Sequence, residues 1–344
     1  MNPFPENINS ILITGGSGFI GSNLISRLLR ETSFKIYNLD KINYASNFKA
    51  LHEYVDSTQY NFLKVDLFNI DDTKNAIRFS NPDLVFHLAA ESHVDKSISK
   101  PKDFVDSNII GTFNLLQELL THWELMSNNR KNKFRLIHVS TDEVFGTIKD
   151  GFYFSEKTSY APRSPYSATK AASDHLVKAW NNTYGFPAIV TNSCNNFGPW
   201  QYPEKLIPVI IYNALNSKPI PLYGNGQNVR DWIYVEDHVD ALIQVMLKGT
   251  LGDSYCIGSR QLKTNEEIVN VVCDYLDLYK QSNSPHIRFK KFVKDRAGHD
   301  FRYAIDNNKI VNELKWSPKF DFDEAIDITV KWYLDNHNFL NISS

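Results

Sequence analysis

The sequence predicts an α/β fold with a doubly wound parallel sheet and a smaller C-terminal lobe. Three observations support this prediction: the chain has 344 residues, short apolar runs alternate with helix-like segments, and a glycine-rich turn follows the first apolar run. A chain of this length exceeds the usual size of one domain, so a large domain with an appended lobe is expected. Apolar strands separated by helices form parallel sheets that are covered on both faces.

The predicted strands are spaced along the first part of the chain. They cover residues 10–14, 35–40, 61–66, 83–90, 134–140 and 188–192. Right-handed crossovers give such strands a doubly wound order, in which ligands bind at the carboxyl ends of the strands. We therefore predict a cofactor-binding domain over residues 1–195 and a mainly substrate-binding lobe over residues 196–344, with some segments interleaved.

The glycine-rich turn lies between the first predicted strand and a helical segment. Gly15, Gly18 and Gly21 form the pattern G-x-x-G-x-x-G, which allows a tight turn and a close approach to a pyrophosphate at the helix N-terminus. Alone, this pattern is also typical of a simple tight turn. Here the second predicted strand ends in Asp40, where a carboxylate binds both ribose hydroxyls and repels a 2′-phosphate. The sequence therefore predicts a Rossmann domain that binds NAD.

The remaining cofactor contacts are predicted in the same turn and just after the strand ends. They are Phe19, Ile20, Lys41, Asp66, Leu67, Ala89, Ala90 and Ser92. For the two alanines, close packing is an interpretation of nearly equal weight.

A tyrosine and a lysine, Tyr166 and Lys170, lie four residues apart on one face of the helix predicted over residues 164–183. Such a pair is typical of hydride transfer, because the lysine and the positive nicotinamide ring are expected to lower the pKa of the phenol, which then accepts a hydroxyl proton. Ser140, at the end of a predicted strand, is expected to assist. All three are also predicted to contact NAD. The alternative is an amphipathic helix surface without chemistry.

Two adjacent acidic residues, Asp142 and Glu143, follow Thr141 at the end of the same strand. Neighbouring carboxylates repel each other when both are ionised, so one pKa should rise, as an acid–base pair requires. Their titrations are coupled, so the spacing leaves open which residue is the acid. The pair indicates that water is eliminated in addition to hydride transfer. The alternative is an acidic first turn that complements a helix dipole.

The composition narrows the class of protein. The chain is 42% hydrophobic and 22% charged with a net charge of −2, which gives no bulk electrostatic reason to bind nucleic acid or an anionic membrane. Its three cysteines, Cys194, Cys256 and Cys273, show no metal-ligand spacing, so we expect no metal site and a reducing cytoplasmic setting. We see no secretory signal pattern and no apolar run near the roughly 20 residues of a membrane span.

Six ordered blocks of sequence add a more specific signal. They are HLAAESHVD at 87–95, STDEVFG at 140–146, NNFGP at 195–199, PEKLIP at 203–208, RDWIYVEDH at 230–238 and DRAGHD at 295–300. These blocks strongly resemble the nucleotide-sugar 4,6-dehydratases of the extended short-chain dehydrogenase/reductase family, above all those that act on dTDP-glucose. The resemblance runs from about residue 10 to about residue 335.

The resemblance implies a reaction at three neighbouring sugar carbons. Tyr166, with Thr141 on the same oxygen, accepts the O4 proton while C4 is oxidised by NAD. Glu143 then removes the C5 proton, Asp142 protonates the departing C6 hydroxyl, and hydride returns to C6. Because the cofactor is regenerated in each turnover, NAD is expected to stay bound during purification.

The resemblance also implies a site for the nucleotide sugar. Its residues are Ser92, Thr141, Asn195, Glu204, Lys205, Arg230, Asn265, Arg296, His299 and Tyr303. Arg230 and Arg296 suit bidentate binding of a diphosphate, although a surface salt bridge is the commoner role of a single arginine. The chain departs from the usual family sequence at residues 258–262 and at Ala297. The choice among dTDP-glucose, UDP-glucose, UDP-GlcNAc and a GDP-linked sugar as the substrate therefore stays open.

Two helices with large apolar faces, over residues 104–125 and 164–183, would form the four-helix bundle of a homodimer in this family. A fully buried helix would show the same pattern. His87 and His93 are expected to orient loops.

Three competing functions are weighed against these residues. A nucleotide-sugar 4-epimerase shares the fold, NAD and the Tyr/Lys pair but needs no acid and base beside C5 and C6. A nucleotide-sugar decarboxylase would not need Asp142. An NAD-binding regulatory protein would be expected to lose Tyr166, Lys170 or the carboxyl groups, and this chain has all of them.

Overall fold

The computed structural model describes residues 8 to 340. The strands are β1 (Ser10–Thr14), β2 (Lys35–Asp40), β3 (Tyr60–Lys64), β4 (Leu84–His87), β5 (Arg135–Thr141), β6 (Ala188–Ser193), β7 (Asn195–Phe197), β8 (Ile220–Tyr223), β9 (Val229–Tyr234), β10 (Ser254–Ile257), β11 (Leu262–Thr264) and β12 (Lys290–Val293). The helices are α1 (Phe19–Glu31), α2 (Ile70–Ser80), α3 (Val94–Ser99), α4 (Pro101–Phe104), α5 (Gly111–Glu124), α6 (Asn128–Lys131), α7 (Pro165–Tyr184), α8 (Leu206–Leu215), α9 (Val235–Lys248), α10 (Asn265–Tyr279), α11 (Asn308–Leu314), α12 (Phe322–Asp335) and α13 (His337–Leu340).

Seven strands form one parallel sheet in the order β10-β6-β5-β4-β1-β2-β3. The chain winds outward from β1 in both directions, so the prediction of a doubly wound parallel sheet is confirmed. Successive residues of β1 point to opposite faces, and Ile11, Leu12 and Ile13 are all fully buried. The sheet is therefore covered on both faces, as a parallel sheet requires.

Two predicted strands are shorter in the structure. The strand predicted over residues 83–90 ends at His87, because the amide of Ala89 donates to the side-chain Oγ1 of Thr14 (3.2 Å) in place of a ladder carbonyl. The strand predicted to end at Asp66 ends at Lys64. In both places the chain leaves the sheet just before the residues that were predicted to contact the cofactor.

The helix predicted over residues 104–125 contains a π-helical turn, Val105–Ile110, between α4 and α5. Asn108, in this turn, is buried and exchanges hydrogen bonds with the backbone of Glu91 (2.8 and 3.1 Å). It also donates to Oγ1 of Thr169 (2.9 Å) on α7. The turn therefore fixes the loop that follows β4 against the helix that carries Tyr166 and Lys170.

The C-terminal half contributes a second apolar core and one strand of the large sheet. Three strands form a small sheet in the order β11-β9-β7, and β12 pairs with β8. The core between α8, α10 and α12 includes Ile207, Val272 and Ile326, all fully buried. β10 lies beside β6 in the large sheet. The domain boundary between residues 195 and 196 stays a prediction. None of the helices between residues 8 and 340 is long and apolar enough to cross a membrane.

Candidate active site

A deep cavity lies at the carboxyl ends of the central strands and extends toward the C-terminal lobe. It encloses about 1550 Å³, including the part that is open to solvent. Of the site residues predicted from the sequence, those on its wall are Gly15, Gly18, Phe19, Ile20, Gly21, Asp40, Lys41, Asp66, Leu67, Ala89, Ala90, Ser92, Ser140, Thr141, Glu143, Tyr166, Lys170, Asn195, Glu204 and Lys205.

The glycine-rich turn forms one end of the cavity. Gly15 has a φ of +68°, and a Cβ at this position would lie 2.7 Å from the backbone of Ala89. A Cβ on Gly21 would lie 2.4 Å from the carbonyl oxygen of Gly15. The first turn of α1 has neither a side-chain cap nor an acidic residue. No side chain therefore offsets the partial positive charge of its backbone amides at this end of the cavity. The arrangement suits the pyrophosphate of a dinucleotide.

Asp40, at the end of β2, lies at the same end of the cavity. Its carboxylate accepts hydrogen bonds from the amides of Ser17 (3.1 Å) and Ile42 (2.9 Å) and from Oγ of Ser46 (3.1 Å). Burial raises the pKa of Asp40, and these hydrogen bonds oppose the rise. The neighbouring cation Lys41 is paired with Glu91 at 2.8 Å. The 2′-phosphate of NADP would need a free cation here, and the Lys41 ammonium is already paired with Glu91. This end of the cavity therefore fits NAD.

Tyr166 and Lys170 lie in the first two turns of α7. Ser164 caps this helix through a reciprocal pair of hydrogen bonds with Ser167, and Pro165 occupies its first position. The phenol of Tyr166 is 9% exposed, and the ammonium of Lys170 donates to the carbonyl of Val139 on β5 (2.9 Å). The helix start therefore fixes both side chains against the end of β5.

Burial is the largest influence on the pKa values of both Tyr166 and Lys170. Burial lowers the pKa of Lys170 to about 8, and the charge of Asp174 opposes that effect. Burial raises the pKa of Tyr166, and the negative charge of Glu143 raises it further, while a hydrogen bond with Thr141 opposes the rise. Among the groups of the chain itself, burial and Glu143 therefore dominate the pKa of Tyr166. The expected lowering of this pKa by Lys170 together with the positive nicotinamide ring stays a prediction.

Asp142 and Glu143 begin a short 3-10 helix, Asp142–Phe145, that Thr141 caps through its side-chain oxygen. Asp142 is 1% exposed and is not on the cavity wall; its Oδ1 lies 3.4 Å from Oγ1 of Thr141, which is on the wall. Its Oδ2 has no hydrogen-bond partner among the described residues. Asp142 therefore lies directly behind the wall, next to the Thr141 hydroxyl.

The two carboxyl groups have different electrostatic surroundings. Burial and the nearby Glu143 raise the pKa of Asp142 well above its usual range. Burial also raises the pKa of Glu143, but Arg230, Lys205 and Arg296 oppose the rise. The sequence predicted that one of the two pKa values would rise; both rise, and that of Asp142 is raised well above its ordinary value. The arrangement offers a neutral acid beside a carboxylate that faces cations.

Arg230 and Tyr303 lie behind the cavity wall in the C-terminal lobe. The buried guanidinium of Arg230 donates to the carbonyls of Asp300 (2.8 Å) and Phe301 (3.2 Å) and stacks on the ring of Tyr303 at 4.2 Å. The phenol of Tyr303 donates to the Asp300 carboxylate (2.7 Å). In this structure, Arg230 therefore holds the segment around residues 300–303 and influences Glu143 through its charge.

Three more predicted substrate residues, Arg296, His299 and Asn265, are also outside the cavity wall. The guanidinium of Arg296 lies 4.7 Å from the ring of Tyr223, and its Nε is 3.4 Å from Asp95. His299 and Asp295 share a hydrogen bond of 2.7 Å, and Asn265 is the first residue of α10. The charge of Arg296 reaches Glu143, so this arginine borders the same site.

The divergent run at residues 258–262 is an irregular segment that leads into β11 and is not on the cavity wall. The buried Asp231 accepts hydrogen bonds from Oγ of Ser259 (2.9 Å) and from the amides of Arg260 (3.2 Å) and Gln261 (3.0 Å). This run therefore differs from the usual family sequence without lining the cavity.

Loops from both halves of the chain meet at the cavity rim. Glu204 is 3.1 Å from the ammonium of Lys96 and accepts a hydrogen bond from the phenol of Tyr44 (3.2 Å). Lys205 donates to the carbonyl of Ser92 (3.0 Å). His93 caps α3, accepting from the amide of Lys96 (3.3 Å).

His87 is buried in the interior between the hydroxyls of Thr14 (2.7 Å) and Thr112 (3.0 Å). It ties the end of β1 to α5. His87 is not among the residues that line the cavity.

Sequence reasoning missed several polar residues of the site: Ser46, Ser107, Ser193, Asn196, Gln201 and Tyr202 on the cavity wall, and the buried Asp174 behind it. Ser46 bonds Asp40 from an irregular loop, and the sequence offers no signal for it. Asp174 lies under the cavity floor, bonded to Ser140 (2.9 Å). A signal for it was present, because Tyr166, Lys170 and Asp174 are spaced four residues apart on one helix face.

Within residues 8–340, no group of three or more His, Cys, Asp or Glu side chains is placed to hold a metal ion. All three cysteines are buried free thiols.

Comparison with known proteins gives consistent matches over nearly the whole chain. The family model described as GDP-mannose 4,6 dehydratase matches residues 12–329. The dTDP-glucose 4,6-dehydratase of Haemophilus influenzae is 48% identical over 332 residues, covering 95% of this chain and 98% of that protein.

Two solved structures are also similar over most of their length. The dTDP-glucose 4,6-dehydratase of Bacillus anthracis, in complex with NAD, has a TM-score of 0.85 and 39% identity, covering 96% of this chain and 98% of that chain. The corresponding enzyme of Streptomyces venezuelae, with NAD and a dTDP ligand bound, has a TM-score of 0.87 and 36% identity, with coverage of 96% and 98%.

Proposed function

The chain belongs to the GDP-mannose 4,6 dehydratase family of nucleotide-sugar dehydratases, and on that premise we propose that it converts dTDP-glucose to dTDP-4-keto-6-deoxyglucose with NAD as its cofactor. One observation carries the proposal. Glu143, whose carboxyl group faces cations, lies on the same cavity wall as Tyr166 and Lys170, and the buried acid Asp142 lies directly behind Thr141 of that wall. An epimerase needs the tyrosine and lysine but has no use for the acid and the base.

The first chemical task belongs to Tyr166. Ionised to a phenolate, Tyr166 takes the proton of the sugar O4, and Thr141 donates a hydrogen bond to the same oxygen. Lys170 and the positive nicotinamide ring of bound NAD would supply the charge that lowers the phenol pKa for this step. When bound, NAD supplies the oxidant for C4 and the hydride that is returned to C6. Because the cofactor is restored in every turnover, it has no need to leave the cavity, and we propose that it copurifies with the protein.

The second task is elimination of water across C5 and C6. The ketone at C4 acidifies the C5 proton, and Glu143 removes it. Asp142 delivers a proton to the departing C6 hydroxyl, helped by the pKa that keeps its carboxyl neutral. The Asp142 carboxyl lies behind Thr141. We therefore propose that the Thr141 hydroxyl, 3.4 Å away, lies between this acid and the bound sugar.

The nucleotide diphosphate is assigned to the cationic side of the site. Lys205 lies on the cavity wall, and Arg230 and Arg296 lie close enough for their charges to lower the pKa of Glu143. Guanidinium groups bind phosphate oxygens in pairs of hydrogen bonds. Asn195, Glu204, Asn265, His299 and Tyr303 are assigned to the same region.

We further propose a homodimer formed through α5 and α7 and the π-helical turn before α5. Large apolar side chains on these elements are more than one-third exposed, including Val105, Ile110, Phe113 and Tyr184. Burying such a surface against a second copy would remove it from water. Three buried free thiols support a reducing, cytoplasmic setting.

The proposed reaction is tested by incubating the protein separately with dTDP-glucose, UDP-glucose, UDP-GlcNAc and GDP-mannose and measuring product masses. We expect loss of one water from dTDP-glucose at the highest kcat/KM. A product of unchanged mass, separable from the substrate as its C4 epimer, would contradict the dehydratase assignment. Preferred dehydration of another nucleotide sugar would contradict the substrate assignment alone.

A further inference from the structure

Asp174 is a buried charged residue that the reaction described above does not use. It lies on α7, one turn after Lys170 and two turns after Tyr166, and its side chain is 0% exposed. Its Oδ2 accepts hydrogen bonds from Tyr160 Oη (2.8 Å), Ser140 Oγ (2.9 Å) and Asn192 Nδ2 (3.2 Å). Its Oδ1 is 3.1 Å from Nε2 of His138. Four donors around two oxygens are the environment of an ionised carboxylate.

The four partners come from different elements of the fold. His138 and Ser140 are on β5, Asn192 is on β6, and Tyr160 is in the loop that leads to α7. Asp174 therefore ties α7 to the strand ends that form the floor of the cavity. The position of the helix decides where Tyr166 and Lys170 lie relative to the end of β5.

Lys170 needs a buried counter-charge. Its ammonium group donates to the carbonyl of Val139 (2.9 Å), a neutral partner. An unpaired buried charge is costly, and Asp174 is the acidic group whose charge opposes the effect of burial on Lys170. His138 cannot take the place of Lys170 as the positive partner, because burial and the charge of Lys170 lower its pKa and keep the imidazole neutral.

Ser140 is oriented by the same carboxylate. Its hydroxyl is on the cavity wall and gives its proton to Asp174. The oxygen of Ser140 therefore faces the cavity as an acceptor.

We propose that Asp174 is a positioning residue that keeps Lys170 protonated and fixes the Ser140 hydroxyl as an acceptor toward the cavity. The inference rests on the proposed use of Tyr166 and Lys170 in the reaction. It assigns to α7 three functional side chains on one face, two that line the cavity and one beneath them.

The pH behaviour of this cluster involves several groups. The titratable groups that face Asp174, or face its partners, are Tyr166, Lys170, His175 and Lys178 on α7, His138 on β5, His87 on β4, Tyr160, Asp142 and Cys256. Burial would raise the pKa of Asp174, but the hydrogen bond and charge of His138, together with Lys170 and Ser140, lower it below its ordinary value. Asp174 is therefore ionised throughout the range in which Lys170 titrates.

The test measures the pKa of Lys170 directly by NMR on the full-length protein with ¹³Cε-labelled lysine, with the signal assigned through Lys170→Met. In Asp174→Asn the pKa of Lys170 should fall by about one unit or more, the usual effect of removing an opposite charge nearby. Asp174→Glu keeps the charge and should retain most of the wild-type value. Tyr160→Phe removes one hydrogen bond to Asp174 but no charge, and should leave the pKa of Lys170 within a few tenths of a unit.

A reciprocal measurement covers the case in which Asp174→Asn does not fold. Because the two charges are coupled, Lys170→Met should raise the pKa of Asp174, measured by the ¹³Cγ signal of labelled aspartate. An unchanged Lys170 pKa in Asp174→Asn, an unchanged Asp174 pKa in Lys170→Met, or equal shifts in Asp174→Asn and Tyr160→Phe would overturn the inference.

The activity measurement distinguishes this inference from the proposed function. In Asp174→Asn the alkaline limb of the kcat profile should move to lower pH with the pKa of Lys170, while KM changes little. If wild-type protein converts none of the nucleotide sugars, the proposed function fails, and the two NMR titrations still decide the role of Asp174.

Discussion

The proposed cofactor end of the cavity is built from backbone and strand ends, whereas the proposed substrate end is bordered by side chains of the C-terminal lobe. At the first end, Gly15 and Gly21 pack so closely that a Cβ would collide with backbone, and Asp40 is held by two amides. At the second end, the guanidinium groups of Arg230 and Arg296 contact carbonyls, aromatic rings and a carboxylate of the chain itself.

This difference separates two kinds of sensitivity. A backbone-built end tolerates almost no added atom, because its neighbours cannot move aside. At an end built from side chains, a substitution removes individual contacts while the surrounding backbone keeps its position. Substitutions at the first end should therefore abolish occupancy, and substitutions at the second end should weaken affinity in steps.

The largest effect is expected from Gly15→Ala. Its Cβ would lie 2.7 Å from the backbone of Ala89, in addition to the strain of a φ of +68°. The purified variant should carry little or no NAD, measured by chromatography of the nucleotide released on denaturation. Gly151→Ala is the matched control, since Gly151 has a φ of +80° but no atom within 4 Å of the added Cβ. It should show only the strain of about 1–2 kcal/mol and keep its NAD. Equal NAD content in both variants would mean that close packing at Gly15 is irrelevant to the cofactor.

The next largest effect is expected from Tyr166→Phe. Losing the general base should lower kcat by about 10²-fold or more with little change in KM. Tyr160→Phe serves as the control, because Tyr160 is a half-buried tyrosine six positions earlier whose phenol donates to Asp174. Its kcat should fall much less. Near-normal turnover by Tyr166→Phe in steady-state assays would assign proton transfer at O4 to another group.

Asp142→Asn and Glu143→Gln should separate oxidation from elimination. An amide at position 142 is too weak an acid to deliver a proton, so kcat should fall by about 10²-fold while C4 oxidation continues. Reduced nicotinamide absorbance and a 4-keto-hexose should then accumulate on the protein. Glu143→Gln should suppress entry of solvent deuterium at C5. If Asp142→Asn dehydrates at the wild-type rate, the acid lies elsewhere.

The smallest effect is expected at the substrate end, from Arg296→Gln. Losing a charge-assisted hydrogen bond to phosphate, about 1.5–3 kcal/mol, should raise KM roughly 10-fold or more with kcat nearly unchanged. Arg302→Gln is the control, because the guanidinium of Arg302 donates to the carbonyls of Lys149 (3.1 Å) and Phe152 (2.7 Å), and its charge is not among the main ones that act on the pKa of Glu143. It should lower thermal stability and leave KM unchanged. A change in kcat alone for Arg296→Gln would argue for a role in the chemistry.

The same division explains what the sequence could predict. The glycine turn, Asp40 and the Tyr166/Lys170 pair have fixed spacings on neighbouring elements, and the structure brings them to one cavity. Arg230 and Arg296 lie far from Glu143 along the chain, and only the packing of the C-terminal lobe against β5 brings their charges together. Their expected place came from family resemblance, and no local spacing signals it.

Two features depended on local tertiary detail that no pattern carries. The pKa of Tyr166 is decided by burial and by Glu143, which outweigh the lysine that follows it on the helix. The strand predicted to run to Ala90 ends at His87, because a Thr14 hydroxyl replaces a ladder acceptor. In contrast, Asp174 was visible in the i, i+4, i+8 spacing and was overlooked because Asp is common on exposed helix faces.

The central claim is that Tyr166, Glu143 and Asp142 act on three adjacent carbons of one sugar, with hydride moving from C4 to C6. Incubating wild-type protein with dTDP-glucose deuterated at C4, followed by mass spectrometry and NMR of the product, tests it most directly. The account predicts a product that has lost one water and carries the deuterium in its C6 methyl group. Deuterium retained at C4 in a product of unchanged mass, or a product without deuterium, would contradict it.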